Sequence, residues 1–299
     1  MRSGNFKAYG EPVFTAPKTA CDCHVHVFGP SDVFPYDPER KYTPVDATPS
    51  DCAEMLASLG LQRLVLVQPT PYGSNNSRLT SALKEFGKAA RGVVVLSGYP
   101  PRSMLEEFTS AGVRGTRMNF NPNERPDPKL LSARLRGLAE LIGDYGWHIQ
   151  LSLAAELLPE IEPVLPDLPT PVVLEHMARL PAKDYENNIG YQSLRRMLET
   201  GRVWVKLSAP YRVAGGGEIG HGAGDLARNL ISVAPERMVW GSDWPHTPLR
   251  GPDIDPFEPL PFQKLDTGEL FNMIAEWSPD KSAIKRILAE NPARLYGFE

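Results

Sequence analysis

The stretch Cys21-Asp22-Cys23-His24-Val25-His26-Val27 reads as a β-strand. Strand side chains alternate between two faces with a period of two, so Asp22, His24 and His26 are expected on one face and Cys23, Val25 and Val27 on the other. Leaving an imidazole buried without a partner costs about 1–3 kcal/mol. The histidine face should therefore meet a ligand, a metal or polar partners; two histidines hydrogen-bonded inside an ordinary core are the alternative. Further β-branched apolar runs bounded by turn residues follow at Arg63–Gln68, Gly92–Leu96, Val113–Phe120, His148–Leu153, Pro171–His176, Val203–Ser208 and Met238–Trp240. Between them lie helical stretches at Ser50–Leu59 with a serine N-cap, Ser77–Gly87, Ser103–Ala111, Lys129–Tyr145, Ala155–Leu165, Tyr191–Glu199 and Asp225–Ala234. Thr267–Trp277 and Asp280–Leu288, the latter capped by Ser278 or Asp280, supply the last helices. Eight strands alternating with helices are the pattern of an α/β protein of the (β/α)8 TIM-barrel class, in a single domain.

A chain of 299 residues accommodates that barrel. Residues 1–18 read as an N-terminal extension and 19–299 as the barrel. The doubly wound alternative lacks a Gly-x-Gly-x-x-Gly after the first strand, and Gly215-Gly216-Gly217 lacks the Lys-Ser/Thr of a phosphate loop. The 30 prolines gather after strands and in long connections such as Pro30–Pro49, Pro122–Pro128 and Pro245–Pro261, which should be stiff loops. A formal charge of −4 argues against nucleic acid as a partner. There is no apolar run of membrane-spanning length and no secretion signal at the start, so a cytoplasmic location is expected. Cys21, Cys23 and Cys52 make no disulfide framework and read as packing residues.

Active sites of such barrels lie at the C-terminal ends of the strands, and polar residues gather there in this sequence. The first strand ends in His24 and His26. The fourth carries Arg117 and Asn119, the fifth Gln150 and Ser152, the sixth His176 followed by Arg179. Lys206 and Ser208 lie on the seventh with Arg212 beyond, and Asp243 stands just past the eighth in Gly241-Ser242-Asp243-Trp244-Pro245-His246. A carboxylate such as Asp243 can take a proton from water, while His24, His26 and His176 can polarise a carbonyl oxygen, as donors or through a metal. Arginine forks at Arg117, Arg179 and Arg212, with Arg125 in a following loop, point to an anionic substrate.

With His-x-His on the first strand, a histidine closing the sixth and Gly-Ser-Asp-Trp-Pro-His on the eighth, the chain resembles the amidohydrolase superfamily. Phe28-Gly29-Pro30, Pro38-Glu39-Arg40-Lys41-Tyr42-Thr43-Pro44, Gly146-Trp147-His148, Glu175-His176-Met177 and Asn291-Pro292-Ala293-Arg294-Leu295-Tyr296 are similar to its amidohydrolase-related lactonase branch, the 2-pyrone-4,6-dicarboxylate lactonases among them. The resemblance runs from about residue 20 to the C-terminus. It implies a hydrolase that opens an anionic lactone ring, with Asp243 as base, His24, His26 and His176 on the carbonyl, and Tyr42, Asn75, Arg117, Arg125, Arg179 and Arg212 on the substrate. It also implies that no metal is required. Binuclear relatives bridge their ions with a lysine or glutamate on the fourth strand, where this chain has Gly115-Thr116-Arg117-Met118-Asn119, and a single Zn2+ on His24, His26 and Asp243 stays open. Two walls depart from the pyrone lactonase pattern: Gln68-Pro69-Thr70-Pro71-Tyr72-Gly73-Ser74-Asn75-Asn76 after the second strand, and Ser152 where a tyrosine is expected.

The partner implied is thus a small carboxylated lactone, on a monomer or homo-oligomer. Three other readings stand beside this one. They are an isomerase or hydrolase of a sugar-acid lactone, a zinc-dependent decarboxylase of an aromatic or muconate-like acid, and a non-catalytic binder of small dicarboxylates.

Overall fold

The computed structural model describes residues 9–120, 124–248 and 255–299. Eight strands form one sheet: β1 (Cys21–Val25), β2 (Arg63–Val67), β3 (Ala90–Val94), β4 (Val113–Asn119), β5 (His148–Ser152), β6 (Val172–Leu174), β7 (Val203–Ser208) and β8 (Met238–Gly241). Each pairs in parallel with the next. Helices α1 (Pro49–Ser58), α2 (Ser77–Phe86), α3 (Arg102–Ser110), α4 (Pro128–Ile142), α5 (Leu158–Ile161), α6 (Ile189–Glu199), α7 (Gly224–Val233) and α8 (Thr267–Trp277) follow the strands in turn. Every expected strand is present, and the chain is a (β/α)8 barrel.

The helices form where apolar residues recur at helical spacing. On α4, Leu131, Leu135, Ala139 and Ile142 are the buried positions, spaced by about one turn. Two sequence expectations change. The cap of α1 is Thr48 rather than a serine, because Thr48 and Asp51 complete a reciprocal capping box with Pro49 at the first helical position. The expected helix Ala155–Leu165 shrinks to the four residues of α5 between 3-10 turns, since Pro159, Pro163 and Pro166 interrupt its hydrogen-bond ladder. After α8, Asp280 caps α9 (Lys281–Lys285), which continues through a π-turn into α10 (Asn291–Tyr296). All three cysteines are buried and unbridged.

Closure of the barrel happens just beyond β8. Asp243 N donates to His24 O at 2.9 Å and His26 N to Trp244 O at 2.9 Å, with Val25 and Trp244 in a parallel bridge. The fit is close: a Cβ on Gly241 would come within 2.6 Å of His24 Cβ and 2.8 Å of His24 N, so only glycine allows the approach.

The β1 register advances from Asp22↔Leu64 to Val25↔Leu66, three residues against two, which is a β-bulge. It corrects the simple alternation expected of this strand. Cys23 packs with Val65, Val173 and Val239, whereas Asp22 pairs with Leu64 of the outer cluster. His24 nevertheless reaches the barrel interior, where it meets Lys206. The fully buried Asp22 clasps the seam instead of lining the site: its Oδ1 accepts from His24 N and from Ser242 N, each at 3.0 Å.

Residues 1–8 of the expected N-terminal extension, and 121–123 and 249–254 of the long loops, lie outside the described residues. From Gly10 the chain runs along α8, with Gly10 N on Asp266, Val13 N on Asn272 Oδ1 and the Phe14 ring 4.8 Å from that of Phe271. Among the described residues no helix is long and apolar enough to cross a membrane.

The clasp generates a stability prediction. Asp22→Ala leaves two buried amides without an acceptor and should cost about 2–6 kcal/mol, from roughly 1–3 per orphaned group. Asp22→Asn keeps one acceptor oxygen and should cost less. Urea denaturation of the three proteins measures the order.

Candidate active site

Strand register sets β4 and β5 side chains side by side in the barrel interior, Arg117 against Gln150 and Asn119 against Ser152, and Lys206 of β7 reaches Gln150. Beyond β6 the chain takes a form that strand alternation does not anticipate. His176, Met177, Ala178 and Arg179 all have positive φ, 52°, 53°, 56° and 53°, and none is glycine. This left-handed run turns the chain at the mouth, so that the adjacent residues Glu175 and His176 both face the site. Ala209 after β7 and Asp243 after β8 share the left-handed region, at φ 45° and 63°. Backbone strain of this kind concentrates at functional sites.

Two buried ion pairs organise the polar groups. Glu175 accepts from Arg117 Nε at 2.7 Å and Nη2 at 2.8 Å, and Gln150 Nε2 adds a bond of 2.6 Å to the same carboxylate. Burial would raise the Glu175 carboxyl, but the Arg117 guanidinium holds it well below its ordinary range. Arg117 Nη1 continues to Gln68 O at 3.2 Å. The fork expected for substrate is therefore engaged by Glu175.

The second pair is Asp243 with Arg212. Arg212 Nε donates to Asp243 Oδ2 at 2.9 Å, and Tyr211 OH donates to the same oxygen at 2.8 Å. The other oxygen, Oδ1, lies 3.6 Å from His24 Nε2 and 3.4 Å from His26 Nε2. Burial pushes the carboxyl up, yet Arg212 together with the histidines holds it well below the usual carboxylate range, so Asp243 is ionised. The fully buried His24 Nε2 has no hydrogen-bond partner among the described residues. A buried orphan nitrogen aimed at a carboxylate oxygen marks the place where a ligand atom or water completes the site.

The histidines are held from behind. His26 Nδ1 is 2.7 Å from Val67 O, and because a carbonyl only accepts, Nδ1 carries a proton. His176 Nδ1 is 2.9 Å from Ser208 Oγ, a hydroxyl that serves either tautomer. Burial lowers His176 to about 3, so it is neutral at pH 7. Beneath them Lys206 is fully buried, and burial lowers it only to about 8, leaving the ammonium protonated at neutrality.

A narrow cleft above these groups is lined by His26, Tyr42, Thr70, Arg117, Asn119, His176, Arg179, Arg212 and Asp243. Tyr42 arrives on a strap in which Thr43–Pro44 pairs in parallel with Pro259–Leu260. Arg179 Nη2 donates to Ser152 Oγ at 2.8 Å, so the position where a tyrosine was expected supports an arginine. Two expected substrate contacts lie away from this cleft. Asn75 is exposed, its Oδ1 accepting from Ser77 N at the start of α2, and Arg125 is exposed with Nη1 on Glu124 O.

Glu175 and Tyr211 were absent from the expected site. Glu175 carried one signal, a carboxylate beside a candidate histidine, which strand alternation assigned to the opposite face. Tyr211 carried only its adjacency to Arg212.

His24, His26 and Asp243 offer ligand atoms within 4.8 Å of one another, the spacing of a single divalent ion. The surroundings of His26 suit that use, because a metal-ligating histidine donates its outer N–H to an acceptor such as Val67 O. The surroundings of His24 do not. Its outer Nδ1 faces the Lys206 ammonium at 3.4 Å, which offers only protons. His24, Glu175 and His176 form a second cluster of donors, but there the carboxylate is engaged by Arg117 and Gln150.

These protonation states predict acid sensitivity. Burial lowers His148 and His176 to about 3 and His246 to about 4 and holds His24 well below its ordinary value, so each contributes stability in full above the unfolded value of about 6.5 and loses it as pH falls. Glu175 and Asp243, held low in the fold, add losses once pH falls below about 4. Asp22, raised by burial to about 6, acts in the opposite sense, one group against several. The urea midpoint should be flat between about pH 7 and 8, gain above that as the buried Lys206 sheds its proton, and fall continuously below 6.5, as chemical denaturation at a series of pH values will show.

The amidohydrolase family model matches residues 21–298. The chain is 34% identical to a 2-pyrone-4,6-dicarboxylate hydrolase of Comamonas testosteroni, over 96% of this chain and 92% of the relative. It is 32% identical to a 4-sulfomuconolactone hydrolase of Rhizobium radiobacter, over 97% and 94%. A solved structure from Pseudomonas putida, carrying the assigned name 2-pyrone-4,6-dicarboxylic acid hydrolase, superposes with a TM-score of 0.80 at 30% identity, over 94% of this chain and 98% of that one. A match spanning His24 of β1, His26 just beyond it and the aspartate after β8, on this barrel, means that the chain belongs to the amidohydrolase family.

Proposed function

We propose that the chain hydrolyses the ring ester of a small anionic lactone, 2-pyrone-4,6-dicarboxylate or a related carboxylated lactone, with a water molecule activated by Asp243. The observation that carries this reading is the ionised, buried Asp243, with one oxygen anchored by Arg212 and Tyr211 and the other turned towards His24 and His26. The relatives acting on pyrone and sulfomuconolactone rings support the same class of bond.

In the proposed reaction Asp243 Oδ1 takes a proton from water as the oxygen bonds to the lactone carbonyl carbon. The carbonyl oxygen, gaining charge, is met by N–H donors of His24 and His176; His26 joins them when its ring carries both protons. The ring C–O bond then breaks, and the proton held by Asp243 passes to the leaving ring oxygen. The product carries one more carboxylate than the substrate. Arg179 and Arg212 anchor the substrate carboxylates, with Tyr42 and Asn119 beside them, while Arg117 contributes through its grip on Glu175.

A carboxylate held far below neutrality is a weak base, because catalysis favours an acid strength near the operating pH. Arg212 resolves the tension if it is shared: a substrate carboxylate that draws on the guanidinium loosens its hold on Asp243 Oδ2 and raises the basicity of Oδ1. Base activation then follows substrate binding.

A second reading has a specific observation behind it, the 4.8 Å cluster of His24, His26 and Asp243, which in a zinc-dependent decarboxylase of an aromatic or muconate-like acid would hold the ion. Such an ion would supply a Lewis acid at the carbonyl or carboxylate. Against it stand the Lys206 ammonium behind His24 and the arginine cations at Asp243 and on β4, which disfavour a further positive charge. We therefore propose that the reaction needs no metal.

Asp243→Asn should lower kcat by about 10²–10⁴-fold while a dicarboxylate ligand still binds within a few-fold of the parent affinity. Ring opening followed by absorbance and binding by calorimetry test this together; turnover at the parent rate removes Asp243 as the base. Chelator should leave the parent rate unchanged, and zinc bound one per chain with activity lost on chelation would favour the decarboxylase. Arg179→Lys should raise KM for a dicarboxylate lactone by about tenfold with a smaller change in kcat, since a point charge replaces a planar fork.

A further inference from the structure

Lys206 is a fully buried cation that the reaction as described does not use. Its Nζ lies 2.6 Å from Gln150 Oε1, 2.7 Å from Cys23 O and 3.4 Å from His24 Nδ1. An ammonium has three protons and no lone pair, and here it has three neighbours able to accept. Gln150 leaves no ambiguity in orientation, because its Nε2 donates to Glu175 Oε1 and its Oε1 must face the lysine. The Cys23 carbonyl sits at the β1 bulge. The remaining proton falls to His24 Nδ1, which must then be bare, and a neutral ring with a bare Nδ1 carries its proton on Nε2. Two charges flank that nitrogen in opposite senses, the ammonium behind the ring and the Asp243 carboxylate in front, and both favour a proton on the front edge.

The geometry points to Lys206 as a positioning residue that fixes His24 in the Nε2–H tautomer and so makes the first-strand histidine a hydrogen-bond donor to a substrate carbonyl oxygen in place of a metal ligand. His26 provides the internal contrast. Its outer nitrogen faces a carbonyl, so its Nδ1 bears the proton and its Nε2 carries a lone pair in the neutral ring. The same His-x-His motif thus holds one histidine set to donate and one set to accept, and what distinguishes them is the neighbour behind each ring. A divalent ion on this pair would need His24 to move its proton to Nδ1, against an ammonium that cannot receive it. Removing the ammonium should open the site to metal.

The inference rests on the lactone-hydrolase reading for the catalytic use of the His24 proton, whereas the tests of tautomer and metal need no lactone. With 15N-histidine-labelled protein at pH 7, ring nitrogen shifts and couplings should show His24 protonated on Nε2 and His26 on Nδ1. A protonated Nδ1 on His24 overturns the proposal, and this measurement uses the unaltered chain, so it decides even if the variant does not fold. Lys206→Met should bind Zn2+ about 10–100-fold more tightly than the parent, the usual size of an outer-partner effect on metal affinity, with the His24 ring signals shifting on titration. Unchanged zinc affinity overturns the role in metal discrimination. Where a lactone substrate is turned over, Lys206→Met should lower kcat and leave KM in place, because Lys206 touches His24 and not the cleft; loss of the parent's turnover of every anionic lactone would instead fail the functional reading and leave the tautomer result standing.

Discussion

Closure of the sheet between β1 and β8 is the constraint on which the site depends. The two backbone bonds that join the strands there belong to Asp243, His24, His26 and Trp244, so the acid and both first-strand histidines are held by the same ladder that makes the sheet a barrel. Gly241 lets the strands come close enough, and the Asp22 carboxylate binds amides on either side of the join. The bulge lets Cys23 pack against the interior valines while the next residue also reaches the interior, a turn that an unbroken strand does not make. Shape and chemistry are consequently set by one short stretch of chain.

Above the seam, the barrel interior is an alternation of charge: Asp243 with Arg212, Glu175 with Arg117, and Lys206 linked to Glu175 through Gln150. Isolated charges at such depth would be neutralised by burial, and pairing is what keeps them ionised. The pairing also limits them. Arg117 gives its Nε and Nη2 edge to Glu175 and its Nη1 to Gln68 O and is fixed, while Arg212 holds Asp243 through Nε and Thr247 through Nη2 and stands partly open to the cleft. Arginines that look alike in sequence therefore have different work to do.

All eight strands were legible in the sequence, because β-branched runs between turn residues are a signal of long reach that local detail does not erase. So was the gathering of His24, His26, His176, Arg179, Arg212 and Asp243, which needs only that strand ends share a mouth. What remained hidden was whatever breaks a period. Alternation on β1 assigned Asp22 to the wall of His24, and the bulge reversed it. Glu175 was masked by its neighbour His176, since an unbroken strand does not direct adjacent residues to one side, whereas the left-handed turn beyond β6 does. Partnership was hidden as well: nothing in the sequence tells that Arg117 is committed to Glu175 or that Lys206 stands behind His24, for these contacts join residues 58 and 182 positions apart. Asn75 and Arg125 illustrate the same limit in loops, where sequence position does not fix direction.

The left-handed run His176–Arg179 has a bearing on how such a site changes over evolutionary time. Four non-glycine residues in that region cost about 1–2 kcal/mol each, against a net stability of about 5–15 kcal/mol for a typical domain. Glycine at Ala178 would relieve part of the strain, yet it would also free the turn that aims His176 and Arg179. A lineage that alters the cleft walls towards a new lactone draws on the same narrow reserve that this turn already depletes. Stabilising substitutions in the outer helices should therefore precede changes of specificity, and the helical shell, remote from any substrate, governs how readily the mouth can be rewritten.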